Sequence, residues 1–166
     1  MKSYIKLLCS VLFLMLLFSC AEKDFLLPEE KEQIFSHDVQ LKKEDIHTQV
    51  FQFINEKFVS GKSVTQSSEE GLIVGNGIFE IDRTNTVIIG IITIKLELTF
   101  LVKYIDNQYK TKYVVKRVIR QDANGNSTDL IEGMWGRHKE QINKTIKDLD
   151  NELLNYLTKK NDKFKF

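Results

Sequence analysis

The chain has 166 residues, with 24 Lys and Arg against 23 Asp and Glu for a formal charge of +1. That is the length of one ordinary domain, and the charge balance gives no global pull toward nucleic acid, an anionic membrane or an acidic substrate. A hydrophobic share of 42%, with one Pro and eight Gly, excludes a disordered or low-complexity chain.

Residues 1–19 read as a signal peptide. Lys2 and Lys6 form a basic start, Leu7 to Phe18 is an apolar run, and small Ser19 precedes Cys20. The run is too short to span a bilayer, which takes about 20 apolar residues. Leu17-Phe18-Ser19-Cys20 resembles the lipobox of bacterial lipoproteins, although Phe18 is bulky for its position. The resemblance implies cleavage before Cys20, diacylglycerol on its sulfur and an acyl group such as palmitate on its amine. Ala21, in place of a retention Asp, implies the outer membrane by the same family rule. Several acyl chains, at about 0.8 kcal/mol per buried CH₂, would make the anchor effectively permanent.

Without residues 1–19 the chain keeps 22 basic and 23 acidic residues, a formal −1. Cys9 is discarded and Cys20 carries lipid, so no thiol is left for a disulfide, a zinc site or a nucleophile. Residues 20–33, charged and interrupted by Pro28, are expected to be the anchor and tether. One domain should cover 34–160, followed by a short tail at 161–166.

Within that domain a first strand is expected over Gln33–Leu41. A helix should run from Lys43 to Phe58, with Ile46, Val50, Phe53, Ile54 and Phe58 at helical spacing and Gly61 closing it. Ser63–Ser67 and Leu72–Ile81 look like a hairpin. The clearest signal is Ile92, Ile94, Leu96, Leu98, Phe100, Val102 and Tyr104, alternating with polar residues except at Leu101. Asp106-Asn107 should turn the chain into a strand over Tyr109–Arg120, and Asp122–Asn126 should end the sheet. A last helix is expected over Arg137–Lys159, with Ile142, Ile146, Leu149, Leu153, Tyr156 and Leu157 as one stripe. The order β-α-β4-α, with strands wet on one face, predicts an α+β fold: an antiparallel sheet with both helices packed on one side.

Leu41-Lys42-Lys43-Glu44-Asp45-Ile46, the helix through Phe53-Ile54-Asn55-Glu56-Lys57-Phe58, and Gly71-Leu72-Ile73-Val74-Gly75-Asn76-Gly77 resemble the domain of unknown function 4468. The long alternating strand and the Asp106–Tyr109 hairpin extend the resemblance over roughly 33–120. It implies a TATA-binding-protein-like (TBP-like) fold in a Bacteroidota-type exported protein or lipoprotein. None of these motifs is chemical, so it implies no activity.

The remaining constellations point away from catalysis. His37, His47 and His138 lack zinc-motif spacing, so they read as ordinary histidines. The glycines at 71, 75 and 77 sit in a strand, without the helix N-terminus that phosphate binding needs. They fit a twisted strand or one closely approached by a helix. Lys110, Lys112, Lys116, Arg117 and Arg120 echo a nucleic-acid-binding sheet, but a solvated face or a lysine-protected edge accounts for them. Glu69-Glu70 lies in a turn, and no serine sits in a nucleophile setting. Trp135, between Gly133 and Gly136, is either a recognition aromatic or a staple for the last helix, and the staple is preferred. The expectation is therefore no enzyme, no metal, no cofactor and no nucleic-acid partner. The role expected is a membrane-anchored binding or assembly module of the cell envelope, engaging an envelope protein or glycan. The alternative is a carrier or sensor of an amphiphilic ligand held in a helix-over-sheet cavity.

Overall fold

The computed structural model describes residues 26, 28–57, 65–69, 71–86, 90–130 and 132–162. The signal peptide, Cys20, Phe58, Gly61, Ser63, Val64 and residues 163–166 lie outside the described residues. The elements are α1 (Pro28–Lys31), β1 (Glu32–Asp38), α2 (Lys43–Lys57), β2 (Thr65–Glu69), β3 (Leu72–Thr86), β4 (Gly90–Ile105), β5 (Gln108–Gln121), β6 (Ser127–Asp129), a 3₁₀ segment (Glu132–His138) and α3 (Lys139–Asp162).

The sheet is antiparallel, in the order β1-β5-β4-β3-β2, with β6 added to the end of β5. The expected α+β arrangement is present, with two longer helices on one face. The structure adds β6, the single turn α1, and five more residues on β3 beyond Ile81. Asn107, at φ 62°, makes the β4–β5 turn that the Asp-Asn pair signalled. Glu44 and Asp45 occupy the first turn of α2, where carboxylates oppose the positive end of the helix.

Alternation decides which face is covered. Ile94, Leu96, Leu98, Phe100, Val102 and Tyr104 of β4 all point into the core, joined from β5 by Tyr109, Tyr113, Val115 and Val118. From above, α2 contributes Ile46, Val50, Phe53 and Ile54, and α3 contributes Ile142, Ile146, Leu149, Leu153 and Leu157. Each such side chain withdrawn from water is worth about 1.5–3 kcal/mol, and the described residues include no cysteine that could add a disulfide.

Packing begins earlier than the expected boundary at residue 34. Leu26 is buried in the core, Glu30 pairs with Lys139, and Lys31 Nζ sits 5.4 Å above the Trp135 ring. The segment expected as tether over 20–33 is therefore docked from Leu26 onward. At the other end α3 continues to Asp162, past the expected end at Lys159 and into the expected tail.

Three bulges bend the long strands. They fall between Thr65 and Ser67, between Glu80 and Asp82, and opposite Glu97/Leu98, where Lys116 is the extra residue. Gly75 permits a close approach, as expected, but by a different neighbour. A Cβ there would overlap the buried ring of Phe100 on the adjacent strand, so the glycine makes room for an aromatic side chain rather than a helix.

Candidate interaction surface

The described helices cover one face of the sheet, and among the described residues no helix lies on the other, the bare face. In register order the bare face runs Asp38–Gln108–Ile105, then Ser36–Lys110–Lys103–Leu72, then Ile34–Lys112–Leu101–Val74, then Glu32–Val114–Thr99–Asn76. Beyond the bulge it continues with Arg117–Glu97–Ile78, Ile119–Lys95–Glu80 and Gln121–Thr93–Arg83. β4 alone gives this face a length of about 50 Å.

The face is not uniformly polar. Ile34 is 58% exposed, Ile105 62%, Ile91 38% and Ile78 36%. These are four of the five large apolar side chains exposed among the described residues, the fifth being Phe51 on α2. Half-buried Val74, Leu101 and Val114 lie between them. Leu101, the apolar exception in the alternation of β4, belongs to this patch.

Charges on the face fall into paired and unpaired sets. Lys112 reaches Glu32 at 2.6 Å, and Arg117 bonds Glu97 and also lies 3.3 Å from Asp129. Arg117 is correspondingly held above its ordinary pKa by the hydrogen bond and charge of Glu97. Lys103 and Lys110, in contrast, stand directly opposite each other across β4 and β5. Lys110 and Lys112 lie where β5 is flanked by both β1 and β4, so these two do not protect an edge.

On the covered face a polar cluster ties α3 to the sheet. Asp150 is 2% exposed. Thr111 Oγ1 donates to its Oδ1 at 2.6 Å, Tyr113 Oη lies 3.5 Å from the same oxygen, and His37 Nε2 is 2.6 Å from Oδ2. Burial, reinforced by the charge of Asp150, pushes the Tyr109 and Tyr113 phenols well above their ordinary values. His37 also packs on Tyr109, ring centroids 5.1 Å apart. Nearby, Gln33 Nε2 donates to Asn143 Oδ1 at 2.6 Å. These groups fasten β1 and β5 to α3.

The other histidines are scattered. His47 Nδ1 lies 2.5 Å from Tyr104 Oη, and half-buried His138 is held below its ordinary pKa, first by burial. Among the described residues no group of three or more His, Cys, Asp or Glu could hold a metal ion. No described helix is long and apolar enough to cross a membrane.

Trp135 is not a surface aromatic. It is 4% exposed and its Nε1 donates to the Leu130 carbonyl at 2.9 Å, so the recognition reading gives way to the staple. The sequence signal was present: glycines on either side of a single Trp, just ahead of an amphipathic helix.

The carrier alternative expects an apolar enclosure between helices and sheet. Among the described residues, that space holds the core side chains. A cleft of about 430 Å³ opens between α3 and β3, but Lys57, Glu80, Lys144, Asp148 and Glu152 line much of it.

No family model matches the chain, and no curated protein matches it. Solved structures do. A DUF4468 family protein from Bacteroides ovatus is similar at a TM-score of 0.56 and 10% identity, over 80% of this chain and 90% of that one. A TBP-like protein from Parabacteroides distasonis is similar at 0.58 and 9% identity, over 80% and 96%. Both sources are Bacteroidota, as the resemblance implied. At such identity the likeness concerns the fold, and the chain has the TBP-like fold of these two proteins.

Proposed function

We propose that the protein is a lipoprotein of the cell envelope, held at the outer membrane by acyl chains on Cys20, and that its domain is a non-enzymatic binding or assembly module working through the bare sheet face. The carrying observation is the placement of Ile34, Ile78, Ile91 and Ile105 on the face that no described helix covers. Exposed apolar side chains sharing one face, here spread along the length of β4, mark a candidate binding surface. The lipobox-like Leu17–Cys20 supports the setting. The half around Ile78 and Ile91 is the part offered to an envelope protein or glycan.

The anchor is tested by labelled fatty acid, which should enter the protein and should not enter the Cys20→Ser variant. The surface is tested with Ile78→Cys carrying a photo-crosslinker, which is the single free thiol once Cys20 is acylated. It should give a discrete adduct in intact cells, abolished by Ile91→Glu and not reproduced from Lys147→Cys on α3. Equal adducts from both positions, or none from Ile78, would refute the binding surface.

A further inference from the structure

We infer that the opposite half of the bare face, around Lys103, Lys110, Ile34 and Ile105, docks flat on the anionic headgroups of the bilayer that holds the anchor. The inference rests on the proposed lipidation of Cys20 and adds a second point of membrane contact. Three observations carry it.

First, Lys103 and Lys110 are directly opposed across two hydrogen-bonded strands, and neither has an acidic partner among the described residues. Like charges in that position weaken a sheet. An anion bridging the two ammonium groups removes the penalty. Lys112 lies next along β5, with Glu32 already satisfying it. The nearby acids are also occupied. Asp38 accepts from Gln108 Nε2 at 3.0 Å, and Asp106 accepts from the Lys43 backbone N–H at 2.8 Å.

Second, the lysines are framed by the most exposed isoleucines, Ile105 and Ile34, with half-buried Leu72, Leu101 and Val74 beside them. Apolar side chains projecting between cations on a flat surface match a bilayer interface, where methyl groups enter the acyl boundary and ammonium groups meet phosphates. An acidic protein segment offers the same charge, but the short tether favours the bilayer.

That tether is the third observation. Leu26 is buried in the core and β1 starts six residues later, so the chain between Cys20 and Leu26 reaches at most about 20 Å. An anchored domain cannot carry Leu26 farther than that from the bilayer, and from Leu26 the chain runs through α1 directly into β1. β1 carries Ile34 and lies beside Lys110 and Lys112.

The test uses the mature acylated protein with Gln108→Cys carrying a polarity-sensitive dye, reconstituted in phosphatidylcholine vesicles with or without 30% phosphatidylglycerol. With the anionic lipid the dye should become shielded from acrylamide. Shielding should fade as salt rises and fall about fivefold in docked-to-undocked ratio for each of Lys103→Gln and Lys110→Gln. Lys147→Gln should leave it unchanged. A dye equally accessible in both vesicles, or shielding that survives the double lysine variant, overturns the inference. So does shielding already present in detergent through a co-purifying acidic protein. If Cys20 carries no lipid, the anchor proposal fails separately. Lysine-dependent pelleting of the soluble protein with the same anionic vesicles then upholds the patch, and no pelleting overturns it.

Discussion

Gly75 and Phe100 show how one missing side chain shapes the core. The ring lies where a Cβ at residue 75 would stand, and it is almost fully buried, so it has little room to yield. Gly75→Ala should cost about 1–3 kcal/mol by overpacking, measured by urea unfolding, and Phe100→Leu in the same chain should recover part of it. A neutral Gly75→Ala would mean that the ring swings aside freely. The two buried tyrosines give a second residue-scale outcome. Tyr109 and Tyr113 are raised above their ordinary 10.0 by burial first and then by Asp150. Above pH 10 the unfolded chain therefore loses phenolic protons that the folded chain keeps, and stability falls as pH rises. Their phenolate absorbance, isolated by difference with Tyr109→Phe and Tyr113→Phe, should appear only together with unfolding. Absorbance developing earlier, with the far-ultraviolet signal intact, would contradict that burial. The sequence revealed part of this chemistry. The Leu101 break in alternation was visible, but its meaning depended on Ile34 and Val74, which come from strands far away in the chain.

At the scale of elements, the last helix is held by more than its apolar stripe. Its periodicity was plain in the sequence, and Ile142, Ile146, Leu149, Leu153 and Leu157 all reach the core. Asp150 sits directly after Leu149 and reads there as one more solvated acid. It is instead among the most buried polar groups, because register places Thr111 and Tyr113 beneath it and His37 beside it. Sequence pattern cannot supply such a contact when the partners lie 39 and 113 residues apart. Asp150→Ala leaves the Thr111 hydroxyl without its acceptor and should cost about 3 kcal/mol, while Asp150→Asn, which keeps an acceptor, should cost less. Equal losses for the two would mean that the site senses only charge. Hydrogen exchange should locate the loss at β1 and α3 rather than in the β3–β4 pair, whose ladder does not touch the cluster.

For the whole molecule, fold class and strand order along the chain were legible because both depend on local periodicity. The limits of the domain were less so, since a brief apolar stretch in a charged segment reads as tether when no partner is in view. Leu26 is that case. Its burial, the Glu30–Lys139 pair and the Lys31–Trp135 contact bind the N-terminal segment to the start of α3. The turn Pro28–Lys31 thus joins the segment leading to the anchor to the helix that closes the core, alongside the edge strand β1. A soluble chain starting at Glu32 should be less stable than one starting at Ala21 by at least the burial of one leucine, about 1.5–3 kcal/mol. The Glu30–Lys139 pair, half exposed on its lysine side, adds less than that figure. Leu26→Ser in the longer chain should reproduce most of the loss, whereas Glu30→Gln should reproduce little of it. If the two chains unfold at the same denaturant concentration, the segment is not docked, and the short reach between Cys20 and the sheet becomes a longer and looser one. The comparison therefore measures both the stability of the domain and how closely the proposed anchor can hold the docked Leu26 segment to a membrane.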